Sequence, residues 1–268
     1  MDASPPSASK SVLVTGGSAG IGAAAVAYLA ARGFSVVATS RTPPRRPLPA
    51  GARWEPMDVC DEDAVRRVVA AAGPLDAVVC NAGFGIFGAV EEVTLARARA
   101  QFETNVFGVL ALARATLAAL RARQGRFVVV GSLAGRAPIP FQAHYSATKA
   151  AVDALVQALR IEVAAFGVGV SLVEPGDIKT EFNDATDWGE QGGSAYGARL
   201  AACEGVVRRS LDHAPGPEVV ARAIHRALTD ASPRVRYPVG PASWLVPAAR
   251  RLLPERLSQK LLAAHFGL

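Results

Sequence analysis

Tyr145 and Lys149 stand four residues apart in helix-forming sequence, so a helix there puts both side chains on one face with Cβ atoms about 5–6 Å apart. A free tyrosine has a pKa of about 10, and a neighbouring ammonium favours the phenolate and draws that value down. General acid–base work wants a pKa near the working pH. Lys10, Lys149, Lys179 and Lys260 are the only lysines among 29 basic residues, so lysine at 149 is informative. An ammonium offers three rotatable donors that ribose and water can share, whereas a guanidinium is bulkier and keeps its proton. Ser132 lies where the apolar run Phe127 to Val130 ends, and its hydroxyl can steady the negative charge that grows on a carbonyl oxygen as hydride arrives. Taken singly, a strand-end serine and a Tyr-x-x-x-Lys are ordinary. Their conjunction suits proton transfer to and from a carbonyl or alcohol oxygen.

Far upstream, Thr15-Gly16-Gly17-Ser18-Ala19-Gly20-Ile21-Gly22 offers a place for a dinucleotide. Glycines between a strand and a helix let the backbone approach a pyrophosphate closely, and the N–H groups at the helix start attract its charge. At the end of the second strand a carboxylate would hydrogen-bond the ribose of NAD and repel a 2′-phosphate. The chain has Ser40 and Arg41 there instead, a hydroxyl and a planar fork of donors, which predicts NADP(H) in preference to NAD(H).

The elements that must position these residues follow from the alternation of short apolar runs with longer segments of helical period. Strands are expected at Ser11 to Thr15, Phe34 to Ser40, around Arg53 to Glu55, Leu75 to Cys80, Phe127 to Val130, Val168 to Val173 and Arg234 to Val239. Helices are expected from Gly20 to Arg32, from Asp61 as N-cap to Ala72, from Leu95 to Arg123, from Ala143 to Phe166 and from Pro217 to Thr229. Such alternation predicts an α/β fold: a single Rossmann-type, doubly wound parallel sheet of about seven strands with helices on both faces. Residues 1–10 read as a flexible tail and 11–268 as one catalytic domain. Within it, 177–213 is polar with weak periodicity and reads as a mobile substrate-covering segment, and 241–268 reads as a C-terminal extension.

The spacing Gly16, Gly20, Gly22 resembles the TGxxxGIG turn of the short-chain dehydrogenase/reductase family. Asn105, Ser132, Tyr145 and Lys149 resemble that family's catalytic tetrad in type and spacing, which implies that Asn105 interrupts its helix and holds a water on a proton relay from the lysine. Asn81-Ala82-Gly83 resembles the NAG motif beside the cofactor, Asp58-Val59 the adenine-contacting pair, and Pro175-Gly176 with Ile178 and Thr180 the segment along the nicotinamide amide and pyrophosphate. The cofactor set so implied is Gly16, Ser18, Gly20, Ile21, Gly22, Ser40, Arg41, Asp58, Val59, Asn81, Ala82, Gly83, Tyr145, Lys149, Pro175, Gly176, Ile178 and Thr180. The resemblance is strong from Ser11 to Thr180. Beyond it, a looser likeness points to the 17β-hydroxysteroid and retinol dehydrogenase-like branch, and family members commonly pair through the two long helices, which implies a homodimer or homotetramer. Two other readings remain at this stage: a nucleotide-sensing regulator with the same fold but no chemistry, and a sugar-nucleotide epimerase or dehydratase.

Substrate choice falls to residues outside the motifs. Phe84, Ile86, Phe87, Leu133, Ile139 and Phe141 are apolar and suggest a hydrophobic carbonyl or alcohol; His144, next to Tyr145 on the helix, is expected to point elsewhere. Cys60, Cys80 and Cys203 are widely spaced, with no CxxC pair, which argues for a reducing, cytoplasmic setting and against a disulfide frame or metal site. The net charge of +6 is spread along the chain and aromatics make up only 6%, so no nucleic-acid surface is expected. No uninterrupted apolar run has the length of a membrane span. The amphipathic stretch Trp244 to Phe266 is expected to pack on protein in preference to a membrane surface.

Overall fold

A computed structural model describes residues 9–180, 195–240 and 243–268. The expected tail falls outside them but for Ser9 and Lys10, and so does the part of the expected covering segment at 181–194. Seven strands, β1 (Ser11–Thr15), β2 (Ser35–Ser40), β3 (Ala52–Pro56), β4 (Ala77–Cys80), β5 (Arg126–Val130), β6 (Gly169–Pro175) and β7 (Arg236–Val239), form one sheet in the order β3-β2-β1-β4-β5-β6-β7. Every pairing is parallel. The helices are α1 (Gly20–Ala30), α2 (Glu62–Ala72), α3 (Leu95–Phe102), α4 (Gly108–Arg123), α5 (Ala143–Val163), α6 (Gly197–Asp212), α7 (Glu218–Thr229), α8 (Leu245–Leu252) and α9 (Glu255–His265). The doubly wound α/β architecture expected from the sequence is the one observed.

A strand covered on both faces must be apolar throughout, and its alternate residues must enter different cores. In β1, Leu13 packs with α2, α4 and α5, whereas Val12 and Val14 pack with α1 and α7 on the opposite face. Strand β5 divides in the same way, with Phe127 and Val129 on the first face and Val128 and Val130 on the second. Asp61 caps α2, its carboxylate accepting from the N–H groups of Asp63 and Ala64. The sheet order reverses between β1 and β4, which opens a crevice at the carboxyl ends of those two strands.

Two expectations need correcting here. The helix foreseen over Leu95 to Arg123 is broken by a π-helical turn, Glu103–Phe107, between α3 and α4. Taken together that helical stretch is 29 residues, long and apolar enough to cross a membrane, yet Val106, Val109, Leu112 and Leu120 belong to the main core, which makes it an interior element here. The second correction concerns the covering segment, whose later part is the regular helix α6. Leu200 and Cys203, both buried, are followed by Val206 and Val207 at helical spacing, a pattern hidden among arginines and alanines.

Candidate active site

The glycine turn closes on itself before any ligand is considered. Gly16 and Gly20 have φ of 66° and 51°, in the left-handed region that costs other residues energy. A Cβ on Gly22 would stand 2.0 Å from the Gly16 carbonyl oxygen and 2.6 Å from Asn81 Nδ2, so α1 approaches the turn as closely as it does because residue 22 has no side chain. Asn81 fastens β4 to the same turn, Nδ2 donating to Thr15 O at 3.0 Å and to Gly16 O at 3.4 Å. Thr15 Oγ1 accepts in return from the N–H groups of Asn81 and Ala82. At its start α1 has no side-chain cap and no acidic residue in its first turn, so the positive end of its dipole is left for an anion.

Ser132 follows β5 in extended conformation and its Oγ accepts from Ala134 N at 3.1 Å, fixing the hydroxyl at the strand end. The hydroxyl is also hydrogen-bonded to the Tyr145 phenol. On α5, Lys149 is 7% exposed, donates from Nζ to Val130 O at 3.0 Å, and lies 5.7 Å from the centroid of the Tyr145 ring. Ser132, Tyr145 and Lys149 therefore converge at the carboxyl end of β5, beside the glycine turn, as the spacing predicts.

Asn105 sits in the π turn and is buried at 1% exposure, so it is not a polar residue on a solvated helix face. Its Oδ1 accepts from Phe84 N at 3.1 Å, and its Nδ2 donates to Phe84 O at 3.1 Å and Thr148 Oγ1 at 3.0 Å. The side chain clamps the loop after β4 to α5. A Cβ on Gly83 would meet Asn105 Oδ1 at 3.0 Å and Lys149 Nζ at 3.8 Å, so a glycine brings this loop against the lysine. The helix is interrupted at Asn105, as the resemblance implies.

The electrostatics reverse one expectation. Burial pushes the Tyr145 phenol up to about 12, with the Ser132 hydrogen bond acting in the lowering direction, and burial brings Lys149 down to about 8. The sequence reading had the ammonium making the phenol more acidic. Loss of water around the phenolate is the larger influence on Tyr145, and the ammonium of Lys149 suffers the same penalty. Both shifts favour the uncharged forms, the protonated phenol and the neutral amine.

One cleft of ≈ 2040 Å³ joins these features, larger than the ~300–1,000 Å³ of a site for one drug-sized ligand. Of the residues implied for the cofactor, Gly16, Ser18, Gly20, Ile21, Ser40, Arg41, Asp58, Val59, Asn81, Ala82, Gly83, Tyr145, Lys149, Pro175, Gly176, Ile178 and Thr180 line it, and Ser132 does too. Gly22 and Asn105 lie behind its wall and shape it from there. Ser40 Oγ is already engaged, donating to Thr42 O at 2.6 Å and accepting from Trp54 Nε1 at 2.8 Å. Arg41 faces the same cleft, joined by Arg45 and Arg46 from the proline-rich loop after β2, all three exposed at its rim.

On the substrate side, Phe84, Leu133 and Ile139 line the cleft, but Ile86 and Phe87 are fully buried in core clusters and Phe141 packs against Phe87. A run of aromatic and aliphatic residues cannot say which of its members face a cavity. His144 does not line the cleft either. The segment expected to cover the substrate contributes Val206, Val207 and Leu211 of α6, and the C-terminal extension contributes Val246, Leu253, Leu262 and Phe266, lining residues that the sequence reading did not name individually. Their common signal is apolar spacing of three and four residues. Among the described residues no group of His, Cys, Asp or Glu could hold a metal ion.

A doubly wound sheet with a glycine turn at its switch point and a Ser-Tyr-Lys cluster across the cleft defines an α/β enzyme of the dinucleotide-binding type. Residues 10–191 match the short chain dehydrogenase family, and the chain belongs to that family of oxidoreductases. It is 33% identical over 261 residues to the uncharacterized oxidoreductase YbbO of Escherichia coli K12, covering 94% of each chain. It is 31% identical to the 3-ketodihydrosphingosine reductase of Bacteroides thetaiotaomicron, covering 96% of this chain and 98% of that protein. A short-chain dehydrogenase from Streptomyces avermitilis superposes with a TM-score of 0.81 at 31% identity, covering 96% of each chain.

Proposed function

We propose that this chain is an NADP(H)-dependent carbonyl reductase or alcohol dehydrogenase acting on a long, apolar substrate. A nicotinamide dinucleotide supplies or accepts the hydride when bound. The chain's own residues do the rest. Gly16 to Ile21 and the start of α1 hold the pyrophosphate; Ser132 hydrogen-bonds the substrate oxygen; and Tyr145 gives that oxygen a proton in reduction or takes one in oxidation. Lys149 orients the ribose and supports the phenol, while Asn105 positions the loop that carries Gly83 against the lysine.

The single observation that carries the reading is the placement of Ser132, Tyr145 and Lys149 in one cleft with the glycine turn. Both silent and active readings need the fold, but a pure nucleotide sensor has no use for a part-buried phenol that lines the cleft, hydrogen-bonded to a serine at the end of β5. The apolar substrate is supported by Leu133, Ile139, Val206, Val207, Leu262 and Phe266 in the cleft wall. It agrees with the name of the Bacteroides relative, a 3-ketodihydrosphingosine reductase.

Arg41, Arg45 and Arg46 at the adenosine end, with no carboxylate closing β2, support NADP(H). Arg41→Ala is expected to weaken NADPH binding at least tenfold and NADH binding less than about twofold, since a charge-assisted contact to phosphate contributes about 1.5–3 kcal/mol. Fluorescence titration of both nucleotides measures it, and equal losses would remove the cofactor preference. We also place the chain in the cytoplasm as a homodimer or homotetramer. Phe107, Ile161 and Phe166 leave exposed apolar surface around α4 and α5 for such pairing.

A further inference from the structure

The two C-terminal helices carry two apolar faces each, and only one is used by the fold. Val246 and Ala249 of α8 and Leu253 just after it follow at three- and four-residue spacing and line the cleft, and Arg250 between them donates to Arg136 O. In α9, Ser258, Leu262 and Phe266 turn inward, the last two joining the cluster of Phe87, Leu200 and Cys203. This inner face packs on protein, as the sequence reading preferred. The outer face has no such partner among the described residues. Trp244 is 69% exposed, Leu245 52%, Leu252 83%, Leu257 44% and Leu261 53%.

Single exposed apolar side chains are ordinary on a soluble surface, but these five fall within one short segment, whereas the other exposed large apolar residues are dispersed along the chain. Exposed cations are interleaved with them: Arg251, Arg256 and Lys260, against Glu255 as the one acidic residue of the two helices. Leucines and a tryptophan with arginines and a lysine, on short helices lying at a surface, is the composition that settles into the headgroup layer of a bilayer. A second copy fits less well. An isologous contact through this patch would set three exposed cations of one chain against the same three of the other with one carboxylate apiece to offset them.

The patch is also continuous with the cleft. Leu261 is half-exposed on the outer surface and lines the cleft as well, and Leu262 and Phe266 continue the apolar wall inward. We propose that the outer faces of α8 and α9 dock on an anionic lipid bilayer and that the carbonyl substrate passes from that bilayer into the cleft past Leu261. The docking half stands on the patch alone; the loading half rests on the reading of the cleft as a site for an apolar carbonyl.

The test uses the full chain with sedimentation on vesicles of phosphatidylcholine, with and without about one-third phosphatidylglycerol. The wild type is expected to bind the anionic vesicles at least tenfold more strongly than the neutral ones, because each cation near an anionic leaflet contributes about 1 kcal/mol. Leu252→Glu and, separately, Arg251→Glu should each lower that binding about fivefold or more, with NADPH affinity unchanged as the measure of an intact fold. A long-chain ketone held in anionic vesicles should be reduced several-fold more slowly by Leu252→Glu, and a short water-soluble ketone at the wild-type rate. Absence of vesicle binding by a wild type that binds NADPH overturns the docking surface. Self-association in solution that Leu252→Glu abolishes, without vesicle binding, assigns the patch to a second copy and overturns it too. Vesicle binding by a chain that reduces no ketone in any form leaves docking standing and overturns the loading route together with the proposed activity.

Discussion

Tyr145→Phe should lower turnover by about 10²–10⁴-fold, the range general acid–base groups contribute, while NADPH binds within about threefold of wild type. The substitution removes one hydroxyl and keeps the ring that stands 5.7 Å from Lys149 Nζ. What disappears is the hydrogen bond with Ser132 and the proton itself. Loss of one neutral hydrogen bond costs about 1 kcal/mol of stability, too little to unfold a domain of this size. Steady-state rates and a nucleotide titration on the same preparation separate the two effects. A variant that keeps a tenth of the wild-type rate would show that the proton comes from elsewhere.

Gly22→Ala should be the most damaging of the conservative changes in the glycine turn. The new methyl would lie 2.0 Å from Gly16 O and 2.7 Å from Gly16 C, both backbone, and 2.6 Å from Asn81 Nδ2. No flexible side chain can yield, so α1 and the turn must separate, breaking the Asn81 bonds to Thr15 O and Gly16 O. Overpacking of this kind costs about 1–3 kcal/mol or more in stability. Displacing the start of α1 from the pyrophosphate should weaken NADPH binding about a hundredfold, or some 2.7 kcal/mol. Gly33→Ala is the control. Its φ is +81° but a Cβ there meets nothing within 4 Å, so it should cost only the left-handed conformation, about 1–2 kcal/mol, with NADPH affinity unchanged. If the two variants bound the nucleotide equally well, the close approach of α1 to the turn would have no part in the site.

The parts of this architecture that depend on neighbouring residues were readable from the chain. Continuous β-branched runs such as Phe127 to Val130 identified strands, Asp61 announced the start of α2, and four-residue spacing put Tyr145 and Lys149 on one face. Features set by distant partners were not. The break at Asn105 followed from the family resemblance and not from local sequence: the π turn carries no proline or glycine of its own and accompanies hydrogen bonds to Phe84 and Thr148, 21 and 43 residues away. Helix α6 was hidden because only Leu200 and Cys203 are buried, while Val206 and Val207 divide between a small core cluster and the cleft wall. The direction of the Tyr145 shift could not follow from spacing, because spacing places the ammonium but not the protein that replaces water around both groups. Arg45 and Arg46 are exposed, as expected of solvated charge, and only the fold shows that the loop after β2 also sets them at the rim of the cleft.

The pH dependence of kcat/KM in both directions, measured at saturating nicotinamide, tests the central claim most directly. A phenol held up at about 12 must lose its proton before it can accept one from an alcohol, so oxidation should accelerate with pH throughout the range from about 7 to 9. Reduction uses the protonated phenol and should stay level until Lys149 begins to lose its proton near 8, then decline. Opposite slopes of the two profiles above that point are the expected result. An oxidation rate independent of pH over that range, or a reduction rate that climbs with it, would contradict Tyr145 as the group that moves the proton.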